Sequence, residues 1–284
     1  MSAPDWPSLS RDTAGAQQLA GTPRRVRRTP SLLAVIYFGL LVLLYLPLAI
    51  LFLFSVNANT SLSFPLQGLT LGWYAKLFES EAVLRAARNS LAVAAGSSVV
   101  ATALGTMVAL LAMRYQFRGK RLLIVLAILP LIVPFIVLGV ALLLLFSALH
   151  IGRSLWTVGI AHTVVALPYT LLIVVARLAG FDTSLEEAAM DLGADYPTAL
   201  RRIVLPIIAP AMLSAWLVAF TVSFDEFALA LFLAGAEPTF PVYLFSQLRF
   251  ANRLPVMIAM AVLLMLGTLV LVLIAERVRR VESY

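Results

Sequence analysis

The chain has 284 residues, 62% of them from the apolar set AVILMFWYC and 12% charged, with a mean hydropathy of +0.98. A soluble domain is about half apolar and a quarter charged, so an ordinary cytosolic enzyme and a disordered chain are both excluded. An integral membrane protein remains. The formal charge of +7 comes from arginines and lysines in loops between apolar runs, where membrane topology explains them and nucleic acid does not. There are no cysteines and two histidines without an HExxH pattern. Neither a metal site nor a catalytic residue is expected.

In chain order, residues 1–30 are rich in Ser, Thr, Pro and Arg and are expected to be a disordered cytoplasmic tail ahead of a membrane domain over 31–280. Six apolar runs follow at about 32–56, 89–113, 122–149, 154–176, 209–233 and 255–275. Each has the length of a spanning helix, so the sequence predicts an all-α membrane protein with six transmembrane helices. The second run is rich in Ala, Gly, Ser and Thr, which lets helices approach closely and predicts an interior span. Pro47, Pro130, Pro134 and Pro168 predict local kinks. Placing both termini inside puts 15 of the 21 basic residues in the cytoplasm, which satisfies the positive-inside rule. The external loop 57–88 carries Leu71-Gly72-Trp73-Tyr74, aromatics suited to an interfacial segment.

The loop 181–206, between the fourth and fifth spans, is different in kind. Ser184 and Glu187 have capping-box spacing and predict the start of a helix. Gly193 stands where a helix end needs a left-handed residue. Asp195 and Pro197 then predict a second helix to about Leu205. The product is a rigid two-helix knob on the inner surface. On these features alone it also fits a surface-lying amphipathic connector with no partner.

Within this loop Glu187-Ala188-Ala189, three residues, Gly193, nine residues and Ile203-Val204-Leu205-Pro206 reproduce the pattern EAA-x3-G-x9-I-x-L-P. The pattern resembles the signature of ABC-importer permease subunits. His162-Thr163-Val164-Val165-Ala166-Leu167-Pro168-Tyr169, Arg177-Leu178-Ala179-Gly180-Phe181-Asp182, Ser223-Phe224-Asp225-Glu226-Phe227 and Thr239-Phe240-Pro241-Val242 are similar to segments of the polyamine-type (spermidine/putrescine) permeases. The resemblance covers roughly 30–280 and is closest across 160–250.

The resemblance implies a type I importer permease in the bacterial inner membrane, with the loop acting as a coupling helix. It implies two cytoplasmic ATP-binding subunits, a second and non-identical permease chain, and an extracytoplasmic solute-binding protein. No GxxxxGK[ST] phosphate loop occurs in the sequence, so ATP and magnesium are expected on the ATPase and no cofactor on this chain. Carried over from the motif as coupling residues are Glu187, Ala188, Ala189, Gly193, Ile203, Leu205 and Pro206. Ala188 and Ala189 suit close packing in a groove, and Gly193 suits the corner. Ile203 and Leu205 suit an anchor to the bundle, and Pro206 the start of the fifth span.

Asp225 and Glu226 are expected inside the fifth span, at a depth where an unpartnered carboxylate is expensive. They either line a path for a cationic solute or pair with a neighbouring helix. Adjacent helical residues diverge by about 100°, so at most one can face a pore squarely. Trp216, Phe220 and Phe224 recur four apart and form an aromatic stripe, for helix packing or for cation–π contact with an amine. His162 is expected to bond between helices. Together these features predict a binding-protein-dependent importer of a small cationic solute, a polyamine first. The alternatives are the same architecture for another solute, such as an amino acid or opine-like compound, and a self-contained secondary transporter. The latter predicts inverted repeats, which are not visible in the sequence.

Overall fold

The computed structural model describes residues 32–60 and 63–281; the N-terminal tail expected over 1–30 lies outside them. The described residues are helical apart from turns, loops and an isolated antiparallel bridge between Asn57 and Leu69. Five helices are long and apolar enough to cross a membrane, and a sixth crossing is available if one sharply bent pair counts as a single span.

Helix α1 (Leu32–Ser55) is apolar on all sides, and over residues 32–49 all its large side chains but Leu41 are exposed. After it, α2 (Gly72–Glu79) takes up the aromatic cluster. Trp73 Nε1 donates to the Asn57 carbonyl at 2.8 Å, and the Tyr74 hydroxyl donates to Ser55 Oγ at 2.8 Å. Helix α3 (Glu81–Arg114) has 34 residues, a length of about 50 Å and well beyond one bilayer core. It begins eight residues before the apolar run because Ser80 Oγ accepts the Val83 N–H, filling one of the free donors of the first turn.

The third run is not a straight span. It divides into α4 (Lys120–Ile128), a tight turn at Leu129–Leu131, and α5 (Phe135–Ala148), bent by 112°. Pro130 and Pro134 each lack the N–H that a continuous helix needs, and two so close together turn the expected kink into a corner. Helix α6 (Leu155–Ala179) follows, closed at its start by a reciprocal Ser154–Thr157 capping box.

The fifth run also departs from the expectation. Between α7 (Ser184–Asp191) and the span lies α8 (Tyr196–Ala199), which passes through a π turn at Leu200–Val204 into α9 (Leu205–Asp225) without interruption. The second helix of the loop therefore does not stop at Leu205. The wider turn, in which the Leu205 N–H reaches back to the Leu200 carbonyl, makes room for the Pro206 ring where an α turn would set it against a carbonyl. At its far end α9 stops at Asp225, Glu226 is extended, and a separate short helix α10 (Ala228–Leu233) begins. Helices α11 (Phe240–Gln247) and α12 (Leu254–Val281) complete the described residues.

Helices α3, α6 and α9 pack around one another through small residues. Ala101, Ala166 and Ala219, one from each, form a wholly buried cluster. Beside it the Thr170 hydroxyl on α6 donates to the Ala101 carbonyl on α3 at 2.9 Å. The small-residue composition of the second run is thus used at the centre of the bundle, where it allows backbone-to-backbone approach.

Candidate coupling loop and buried polar chain

The loop is built from local hydrogen bonds. Asp182 Oδ1 accepts the Ser184 N–H at 3.0 Å, and the bonds from Ser184 hold its carboxyl below the ordinary value of 3.8. This replaces the expected Ser184–Glu187 capping box. The helical hydrogen bonds already begin at Asp182 and Thr183, so Ser184 lies inside the first turn and Asp182 reaches the free donor first. At the other end of α7, Gly193 has φ +91°, its N–H bonds the Met190 carbonyl, and the Ala194 N–H bonds the Ala189 carbonyl. That is a complete Schellman closure, which needs a left-handed residue at this position. Asp195 then accepts the Thr198 N–H at 3.3 Å. Its carboxyl is also lowered, first by its side-chain bond with Thr198.

In this frame Glu187 and Ala188 are exposed and Ala189 is half-buried. Leu192, at the corner, is 90% exposed. Ile203 and Leu205 are half-buried and Pro206 is exposed. The fully buried places beside them belong to Val204 and Ile208, which pack with Leu171, Val174 and Leu178 of α6. Glu186, one residue before the motif, is turned inward, and its Oε2 lies 3.0 Å from Arg114 Nη2 at the end of α3.

A second polar assembly crosses the bundle. Ser97 Oγ of α3 lies 2.9 Å from Ser223 Oγ of α9, and Ser223 Oγ lies 2.7 Å from His162 Nδ1 of α6. His162 Nε2 lies 3.3 Å from Glu226 Oε2. The Glu226 carboxylate also accepts the N–H groups of Leu229 and Ala230, at 3.0 and 3.2 Å. All four side chains are buried. The imidazole thus stands between Ser223, which it meets through Nδ1, and the Glu226 carboxylate, which it faces through Nε2. Glu226 therefore does two things at once. It caps α10, and it ties the break in the fifth run to α6.

Asp225 and Glu226 thus part company, because the helix ends between them. Asp225 is exposed and accepts the Thr268 hydroxyl of α12 at 2.9 Å. The aromatic residues form a ladder on α9, with Trp216 and Phe220 centroids 5.9 Å apart and Phe220 and Phe224 stacked at 6.0 Å. Farther along α9 and α12, a cavity of about 550 Å³ is lined by Ser214, Val218 and Thr221 with Val272, Glu276 and Arg177.

Over residues 101–281 the chain matches the family described as the binding-protein-dependent transport system inner membrane component. The chain belongs to this family. As a permease it is 34% identical over 243 residues to the spermidine/putrescine transport system permease protein PotC of Haemophilus influenzae, covering 85% of this chain and 93% of that one. It is 35% identical over 232 residues to the putrescine transport system permease protein PotI of Escherichia coli, covering 79% and 82%. A crystal structure of a bacterial alginate ABC transporter with its periplasmic protein superposes with a TM-score of 0.68 at 17% identity, covering 88% of this chain and 93% of that one. That likeness shows the type I importer permease fold. Permeases of this family are multi-pass proteins of the inner membrane that work with an ATPase and a binding protein.

Sequence reasoning missed Arg114, Glu186, Ser97, Ser223 and Thr268 in this permease. Each acts on a partner distant in the chain, and only the depth of Arg114 at a span end could have drawn attention to it. The structure brings Glu187, Ala188 and Gly193 together on the knob, and sets Asp225 and the ladder on α9 apart from them.

Proposed function

We propose that this permease is a non-catalytic pore subunit of an ATP-driven importer of polyamines, spermidine and putrescine first. Its similarity to the two polyamine permeases over about four fifths of the chain carries the reading. In this reading both termini are cytoplasmic and a second, non-identical permease completes the pore. A binding protein delivers solute from outside. Two ATPase subunits, which hold ATP and magnesium, meet the outward face of α7 through Glu187, Ala188 and Ala189.

Local chemistry supports the division of labour. The exposed α7 face, closed at Gly193 and continuous through α8 with α9, is a lever by which movement of a bound ATPase turns a span. Asp225 supplies the anionic group for an ammonium, and the Trp216–Phe220–Phe224 ladder supplies ring faces at which such cations are attracted. Glu226 is committed to His162 and to α10, and stands apart from the solute. Uptake of labelled spermidine and putrescine by a strain lacking this gene tests the reading. Loss of uptake, restored by the wild-type gene, is expected. Unchanged uptake in the deletion strain overturns the polyamine assignment and moves it to another small solute.

A further inference from the structure

The proposed ATPase contact uses the outward face of α7 and leaves its inward face without a task. There Glu186, only 8% exposed at its side chain, meets Arg114, 16% exposed, at 3.0 Å. The Arg114 guanidinium carbon also stands 4.8 Å over the ring of Phe181, the residue that leads into the loop. Tyr115, which closes α3, meets Tyr196, the first residue of α8, edge to face at 6.0 Å. Two consecutive residues at the end of α3 therefore grip the loop at its entry, on its first helix and on its second. The polypeptide itself joins the loop only to α6 and α9.

We propose that Arg114 is a positioning residue that fastens the coupling loop to α3, so that displacement of α7 is delivered to three spans rather than two. The proposal rests on the reading of α7 as the ATPase contact. Physically, an ion pair screened from water resists opening, because each charge would lose its compensation where water cannot replace it. The guanidinium is held twice over, by the charge of the carboxylate 3.0 Å from Nη2 and by the ring of Phe181. The link ends on the helix that runs through the centre of the bundle, where Ala101 meets Ala166 and Ala219. Pulling on Arg114 therefore acts on the α3–α6–α9 crossing directly.

The test uses the whole transporter, with permease, ATPase and binding protein purified together and reconstituted. Arg114→Ala and the double variant R114A/E186A, which leaves no lone buried charge, are compared with Arg114→Lys. The expected result is that all three recover the ATPase and hydrolyse ATP. Solute taken up per ATP falls at least tenfold in the two alanine variants and stays within threefold of wild type in Arg114→Lys. Unchanged uptake per ATP in R114A/E186A overturns the proposal, as does a fall matched by loss of the ATPase from the purified complex.

A second measurement addresses the link without removing it. In the cysteine-free chain, Y115C/Y196C is joined by a short flexible bifunctional thiol reagent. If α3 and the loop move as one body, the cross-linked transporter retains uptake; abolition of uptake by the cross-link alone overturns the proposal. Failure of the wild-type permease to retain any ATPase would instead strike the reading of α7.

Discussion

Gly105 of α3 lies so close to Thr170 of α6 that a Cβ built on the glycine would stand 2.0 Å from the threonine hydroxyl and 2.9 Å from the Leu171 backbone nitrogen. A backbone atom cannot swing aside as a flexible side chain can. Gly105→Ala should therefore force α3 and α6 apart and destabilise the bundle by about 1–3 kcal/mol. A lowered melting temperature of the detergent-purified permease checks this, with Gly96→Ala, where nothing lies within 4 Å, as the neutral control.

Gly193 presents the opposite case, with open space around it and a φ of +91°. The penalty for a side chain there is in the backbone, about 1–2 kcal/mol for an ordinary L-residue. Gly193→Val should leave insertion intact and reduce uptake per ATP. Gly193→Asn, which tolerates the left-handed region, should retain most of it. Equal uptake by the valine variant and wild type would remove the corner from the coupling mechanism.

The two neighbouring carboxylates should separate in their phenotypes. Asp225→Asn is expected to raise the KM for polyamine uptake about tenfold, equivalent to ~1.4 kcal/mol, with little change in melting temperature. Glu226→Ala leaves two N–H groups of α10 without their acceptor and His162 without its carboxylate. It should destabilise the protein by about 1–3 kcal/mol. Uptake kinetics and thermal melts on the same preparations check both. The opposite pattern would make Glu226 the solute-facing group.

The loop carries a pH dependence of its own. The carboxyls of Asp182 and Asp195 are both lowered from 3.8 by the bonds they accept. A depressed folded value means stability that is present above the unfolded value and is lost as pH falls through the folded one. The ends of α7 and α8 should therefore be constant at neutral pH and loosen only below about pH 4. Hydrogen exchange of amides 183–199 across pH 3–7 reads this, and the variant D182N/D195N should show a nearly flat profile.

Legibility in the sequence followed the range of the interactions. Gly193, Asp195 and Pro197 announced the loop because a helix end is closed by residues within a turn of it. The prolines at 130 and 134 announced a disturbance but not a corner of 112°, since the angle depends on what the two halves pack against. The break at Glu226 showed in the sequence only as two charges inside an apolar run, not as a helix end. Apolar residues on both sides of the pair read as one helix, while the carboxylate at the break caps α10 and meets His162. The ion pair of Arg114 with Glu186 was equally invisible, because a charge beside a motif looks like part of a solvated face until a distant helix end is set against it.

Ala101, Ala166 and Ala219 meet where three helices cross, and an alanine has no rotamer to change. At that level the surfaces carry no knobs that must be lifted from their holes before the helices turn. One turn along each helix, Ser97, His162 and Ser223 join the same three spans through polar contacts, so the bundle is smooth at one level and latched at the next, and a twist applied at the loop would meet its first resistance at that latch.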